Sequence, residues 1–185
     1  MTSAKGSLYV ISGPSGVGKG TVCKALLAQN QELTVSVSAT TRKPRTGEVD
    51  GVNYHFLNKE DFLRRIENDE FLEWATVYDN YYGTLKSAVQ QELDAGRDVI
   101  LEIDTKGAAQ VRRLMPQAVL IFLEPPSPEE LLRRLQTRGT DSPEEIARRQ
   151  QCLQEELNQR PYYNFVVVND ELSRAVAEIQ GIIAG

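Results

Sequence analysis

The chain has 185 residues, enough for one substantial domain and short for two. Its 41% hydrophobic and 25% charged residues are those of an ordinary soluble globular protein. With 21 Lys and Arg against 26 Asp and Glu, the formal net charge is −5; an acidic chain with no basic tail argues against general nucleic-acid or anionic-membrane binding, while local basic clusters can still hold small phosphates.

In chain order, the opening MTSAKGSLYVIS carries only a short apolar run that leads straight into a glycine loop, so a signal peptide is not expected. Leu8-Tyr9-Val10-Ile11 reads as a strand ending at Gly13. From Lys19 the pattern turns helical, with Val22, Ala25, Leu26 and Leu27 on one inner face to about Gln29. The stretch from Val35 to Tyr82 differs. Its short, partly alternating segments Val35–Ser38, Tyr54–Phe56 and Phe71–Tyr78, with a helix near 59–68, read as a small β-rich insertion. Beyond it, Val99–Ile103, Val119–Leu123 and Phe165–Val168 read as buried strands. Helical patterns fall near 84–95, 106–115, 128–138, 143–158 and 171–184. Alternating buried strands and helices predict an open parallel sheet covered on both faces. No repeat, low-complexity segment, linker or membrane-length apolar stretch divides the chain. Cys23 and Cys152 are expected as two reduced thiols in a cytoplasmic protein. His55, the one histidine, has no Cys/His cluster around it, which argues against zinc.

Residues 13–21, GPSGVGKGT, follow the phosphate-loop pattern through Gly13, Gly18 and Lys19. Pro14, Ser15, Gly16 and Val17 complete the loop. Backbone N–H groups there converge on one point, and the following helix adds partial positive charge at its start. Lys19 is placed to reach the terminal phosphates of a nucleoside triphosphate. The usual hydroxyl after the lysine is missing: residue 20 is glycine, and the hydroxyl arrives at Thr21. Thr21 either turns toward a phosphate or meets magnesium indirectly. Magnesium keeps several waters and takes few protein ligands, so the loss of one hydroxyl is tolerable.

In SATTRKPRTGEVDGVNYHF, Arg42 and Arg45 flank a proline, and with the Tyr54 hydroxyl they can converge on a phosphate, which planar guanidinium donors match as a fork. Taken alone, the stretch reads equally as a solvated basic loop. In FLEWATVYDNYYGT, Glu73 points opposite to Leu72 and Trp74 on a strand. Facing a cleft, its carboxylate would accept both N1–H and the 2-amino group of guanine. Facing solvent, it would be an ordinary strand glutamate. Ser38 and Thr84 offer hydroxyls to the guanine edge, and Tyr81 or Tyr82 a phosphate contact.

With ILEIDTKGA, RLQTRGTDSPEEIARR and VVVND added, the chain resembles the guanylate kinase family over nearly its whole length. The resemblance implies a three-layer P-loop kinase fold: a core near 1–34, 85–136 and 159–185, a GMP-binding insertion near 35–84, and a helical lid near 137–158. It implies ATP-dependent phosphorylation of GMP, and of dGMP, in purine nucleotide metabolism. It places Arg42, Arg45, Tyr54 and Tyr82 on the GMP phosphate, and Glu73, Ser38, Thr84 and Asp104 on guanine. Thr84 stands where many relatives carry serine. Arg134, Arg138 and Arg149 (or its neighbour Arg148) fall to the triphosphate and the moving phosphoryl group, and Asn169 to the adenine end of ATP. Magnesium is expected to ride on the ATP phosphates and water, with Glu102 and Asp104 beside the loop orienting its waters or a base amine. Two other readings compete. A ribose-bisphosphate kinase on the same scaffold has no use for Glu73, Ser38 and Thr84. A non-catalytic guanylate-kinase-like interaction module has no use for Lys19, Arg42, Arg45 and the lid arginines together.

Overall fold

The computed structural model describes residues 5–77, 79–136 and 142–185, with the side chains of 134–136 set aside. The strands are β1 (Leu8–Ser12), β2 (Leu33–Val35), β3 (Ala39–Thr40), β4 (His55–Phe56), β5 (Phe71–Val77), β6 (Asn80–Leu85), β7 (Asp98–Glu102), β8 (Val119–Glu124) and β9 (Phe165–Val168). The helices are α1 (Lys19–Gln29), α2 (Lys59–Glu67), α3 (Lys86–Asp94), α4 (Thr105–Leu114), α5 (Pro128–Gln136), α6 (Pro143–Leu157) and α7 (Leu172–Ala184). A five-stranded sheet runs in the order β2-β7-β1-β8-β9, and a four-stranded one in the order β4-β3-β6-β5. The resolved pairings of the larger sheet are parallel, and helices flank it.

Two compact units make up the chain. One comprises Tyr9–Gln31, Glu102–Thr105 and Val119–Gly185. There β1 and β8 are buried throughout their centres, with Val10, Ile11, Ile121 and Phe122 fully inaccessible. Strands covered on both faces need continuous apolar runs, which is why these were readable as such. Val22, Cys23 and Leu26 form the buried face of α1, so Cys23 takes the place expected of Ala25 and Leu27, which are only partly covered. Helix α6 starts at a capping box: the Ser142 hydroxyl accepts from the Glu145 N–H and the Glu145 carboxylate accepts from the Ser142 N–H, with Pro143 in the first turn. Of the expected lid, residues 137–141 lie outside the described residues, and the rest is this helix.

The other unit comprises Met1–Leu8, Glu32–Leu101 and Lys106–Ala118. The small sheet packs around Ala39, Phe62, Phe71 and Leu85. Phe62 of α2 stacks on Phe71 at 4.3 Å and on Tyr81 at 5.3 Å between ring centroids. Burying one such ring stabilises by about 1.5–3 kcal/mol. Helix α2 is fixed at its start by Asn58, whose side chain accepts from the Asp61 N–H at 2.7 Å.

Three expectations need correction. Residues 35–38 do not form a strand: β2 ends at Val35 in the larger sheet and β3 begins at Ala39 in the smaller one. The alternating V-S-V-S pattern belongs to chain passing from one sheet to the next. The expected strand at 54–56 is shorter, His55–Phe56, with Tyr54 in an isolated bridge to Asp50. The expected helix near 84 starts later, at Lys86, because NYYGTL is the strand β6, hairpin partner of β5. Gly83 belongs there for lack of room: a Cβ would sit 2.8 Å from the Glu73 carbonyl oxygen and 2.8 Å from Phe71 Cδ1. Among the described residues no helix is long and apolar enough to cross a membrane.

Candidate active site

In the unit built on β1, the strand ends in a loop whose Gly13, Gly16 and Gly18 all have positive φ, and Gly18 at φ 100° is the left-handed start of α1. No side chain caps that helix, so its first N–H groups point into the loop. The Lys19 ammonium donates to the carbonyls of Gly13 at 2.9 Å and Pro14 at 3.2 Å. An ammonium has three donors, so one remains for a phosphate oxygen. Burial pushes the Lys19 pKa below its ordinary value, opposed by the charges of Glu156, Glu102 and Asp104. Sequence reasoning missed Glu156, a carboxylate of α6 seven residues beyond Arg149. The available signal was helical spacing, since residues seven apart fall on one face.

Gly20 gives Glu102 space. A Cβ at residue 20 would lie 3.4 Å from Glu102 Oε1, so a carboxylate occupies the flank where a residue-20 side chain would sit. Glu102 and Asp104 are both exposed, as is Thr21 in the first turn of α1. Among the described residues no group of three or more His, Cys, Asp or Glu side chains could hold a metal alone.

Asn169, after β9, braces the loop: its side-chain amide donates to the Val17 carbonyl at 2.8 Å, and its backbone N–H to the Glu124 carbonyl at 2.9 Å. A Cβ on Gly18 would meet that amide nitrogen at 2.7 Å, at a φ that side chains avoid. Ser15 of the loop shares a cavity of about 360 Å³ with Leu131, Arg148, Arg149, Cys152 and Glu156. Both arginines line it, so the pair left open by sequence belongs to one place. The Arg134 side chain and Arg138 lie outside the described residues.

The remaining candidates, except Asp104, lie in the unit with the small sheet. Arg42 stands 5.3 Å from the Tyr54 ring centroid, and Tyr54 meets Tyr82 edge-on at 6.1 Å. Arg42 is held by Glu48 through two hydrogen bonds, at 2.9 and 3.0 Å, which raise its pKa above the usual value and lower that of Glu48. Arg45 is exposed, and its backbone N–H donates to the same carboxylate at 2.7 Å. Ser38 is partly buried, and its carbonyl accepts from the His55 N–H at 2.8 Å.

Glu73 is 8% exposed, which excludes the solvent-facing reading, and its Oε1 accepts from the Thr84 hydroxyl at 2.7 Å. The expected alternation holds toward Trp74, which is exposed, and fails toward Leu72, which is buried beside Glu73. The register shift between Phe71 and Glu73 is the cause. Gln110 of α4 was also missed. Its side-chain amide accepts from the Trp74 N–H at 3.1 Å and donates to the Trp74 carbonyl at 3.0 Å, completing the edge of β5 one residue past Glu73.

The two cysteines are free. Cys23 is buried, which pushes its thiol up to about 12, while Cys152 is exposed. A thiol reagent at neutral pH is therefore expected to titrate one cysteine in the native chain and the second only after denaturation. Two thiols reacting at once in the folded protein would contradict the burial of Cys23.

A parallel strand that runs through a glycine loop and Lys19 into an uncapped helix start defines a P-loop nucleotide-binding protein. The family model for guanylate kinase matches residues 5–185, and the chain belongs to that family. It is 56% identical over 179 residues to the guanylate kinase of Caldanaerobacter subterraneus subsp. tengcongensis, covering 97% of this chain and 87% of that protein. A crystal structure of guanylate kinase from Anaplasma phagocytophilum superposes with a TM-score of 0.74 at 33% identity, covering 100% of this chain and 87% of the other. Shikimate kinase from Bacteroides thetaiotaomicron, at 15% identity and a TM-score of 0.53 over 97% of this chain and 99% of the other, shares the fold.

Proposed function

We propose that this chain is an enzyme that transfers the terminal phosphoryl group of ATP to GMP, giving ADP and GDP, and that it also accepts dGMP. Its place is purine nucleotide metabolism in the cytoplasm, with no nucleic-acid or membrane partner. The observation that carries the acceptor's identity is the buried Glu73 carboxylate beside Thr84. A carboxylate is acceptor-only with room for several bonds, and guanine presents two adjacent donors. Ser38 and Asp104 complete the guanine contacts. Arg42, Arg45, Tyr54 and Tyr82 take the acceptor phosphate, and the positive charge of Arg42 and Arg45 offsets repulsion between two anionic substrates.

On the donor side, the loop N–H groups of residues 13–21 and Lys19 hold the triphosphate. Arg134, Arg138 and Arg149 meet the phosphoryl group in flight. We assign residues 35–84 to GMP binding and 137–158 to a lid whose closure excludes water, against which ATP hydrolysis would compete. Phosphoryl transfer asks for alignment and charge neutralisation rather than covalent help. GMP's phosphate is largely ionised at neutral pH, so no general base is required. Magnesium fits this donor set: the exposed carboxylate of Glu102 beside Gly20 would hold its waters, and bound with ATP it supplies further neutralisation of phosphate charge.

Asn169 gives its amide donor to the loop, so its oxygen is the atom assigned to the adenine amino group. Asn169→Ala is expected to raise the KM for ATP by about tenfold, the effect of losing one hydrogen bond and its partner's satisfaction. GTP should suffer less if the adenine contact dominates and equally if the brace dominates. An unchanged KM for both would remove Asn169 from the site.

The function is tested by ADP formation from Mg-ATP with GMP, dGMP, AMP, CMP, UMP and ribose 1,5-bisphosphate offered separately. Turnover confined to GMP and dGMP supports the assignment. Turnover with another acceptor leaves the phosphate loop and overturns the guanine reading. A folded protein without turnover overturns the enzyme.

A further inference from the structure

We propose that Glu48 is a positioning residue that grips one edge of the Arg42 guanidinium and so presents the opposite edge to the acceptor's phosphate. The proposal rests on the reading that this phosphate sits at Arg42. Its basis is which donors are engaged. Nη1 donates to Glu48 Oε2 at 3.0 Å and to the Lys43 carbonyl at 2.9 Å, while Nη2 donates to Glu48 Oε1 at 2.9 Å. A guanidinium has five N–H donors in a fixed plane. The Nε–H and the second Nη2–H lie together on the other edge, the fork that matches two phosphate oxygens and that remains for them.

The grip is built into the turn. Gly47 takes a left-handed φ of 88°, and the Glu48 N–H donates to the Arg45 carbonyl at 3.0 Å, folding the chain back on itself. The Arg45 N–H then anchors Glu48 Oε2 at 2.7 Å. Glu48 is thus tied to backbone as well as to Arg42, and the Arg42 and Glu48 side chains are only 15% and 20% exposed. The Tyr54 and Phe56 rings flank the guanidinium at 5.3 and 5.9 Å. An anion beside a phosphate site opposes binding by its charge. It favours binding by removing the freedom a long cation would otherwise lose on contact. Because Glu48 occupies the edge that the phosphate does not need, the second effect wins.

The test compares full-length wild type with E48Q, E48D, R42A and E48Q/R42A. Thermal melts monitor folding, steady-state kinetics give KM for GMP and ATP, and guanosine, which lacks the phosphate, serves as a competitive inhibitor. E48Q is expected to raise the KM for GMP by about tenfold, a coupling usual between members of one hydrogen-bond network. ATP KM and guanosine inhibition should not move, E48D should recover part of the loss, and E48Q should add little once Arg42 is gone. Tighter GMP binding in E48Q would make Glu48 a competitor of the phosphate and overturn the proposal. So would an unchanged KM, an equal loss for guanosine, or a full loss that persists in the R42A background. R42A with an unchanged KM for GMP would instead remove the phosphate from Arg42 and withdraw the reading beneath.

Discussion

Replacing Lys19 by methionine is expected to lower kcat/KM for ATP by about a thousandfold, at the upper end of what removal of one preorganised donor costs. The ammonium is fixed at the loop by the Gly13 and Pro14 carbonyls, so it needs no reorganisation when charge builds on the terminal phosphate. Methionine keeps much of the length and loses both charge and donors. Arginine keeps the charge but spreads it over a planar fork, and it should recover little. A pH dependence follows with a definite sign. Burial lowers the Lys19 pKa from 10.5, and the active form is the protonated one, present below that pKa. The alkaline limb of the kcat/KM profile for ATP should therefore fall at a lower pH than an ordinary lysine would give. The same shift makes the charged form unfavourable to folding; that cost is present below the folded pKa and disappears as pH rises above the unfolded value. A coupled assay of ADP formation across pH checks both. Activity of the methionine variant within tenfold of wild type would remove Lys19 from the reacting phosphates.

The phosphate loop was legible because its determinants are local. Gly13, Gly16, Gly18 and Lys19 sit within seven residues and act through their own backbone conformation. The buried strands were legible because burial on both faces leaves a continuous apolar run, as in β8. What escaped depends on partners distant in sequence. Gln110 reads as one more polar helix residue until its amide meets Trp74, 36 residues away. The Phe71/Glu73 shift breaks an alternation that FLEWATV displays cleanly, so burial of both Leu72 and Glu73 follows from the pairing with β6 rather than from the strand itself. Strand β6 was hidden by Asn80 and Gly83, residues poor in strand propensity. Its pairing with β5 and β3 on either side overrides that preference. Glu48 lies six residues from Arg42 in a stretch that reads as solvated loop, and only the left-handed turn at Gly47 brings the two together.

Glu73→Gln is expected to lower kcat/KM for GMP by about a hundredfold to a thousandfold and to leave the KM for ATP unchanged. The residue is buried, and the Thr84 hydroxyl donates to one of its oxygens. A glutamine in that place still satisfies Thr84 with its amide oxygen. The NH₂ group then turns to the base, where guanine also presents donors. Two donors face each other, and a charged hydrogen bond is lost. The unpaired buried group costs about 1–3 kcal/mol, and a hydrogen bond to charge is worth about 1.5–3 kcal/mol, which together span the stated range. Discrimination should change as well as rate. Adenine offers an acceptor at N1 and a donor at its amino group, a pattern that an amide matches and a carboxylate does not. The GMP-to-AMP ratio of kcat/KM should therefore fall further than the GMP rate alone, since AMP gains where GMP loses. Stability should stay within about 1 kcal/mol of wild type, because the Thr84 bond survives. A similar proportional loss for GMP and AMP would mean that Glu73 holds the strand pair β5–β6 in shape without reading the base. Equal kcat/KM for GMP in mutant and wild type would sink the assignment and move guanine recognition to the hydroxyls of Ser38 and Thr84 and the carboxylate of Asp104.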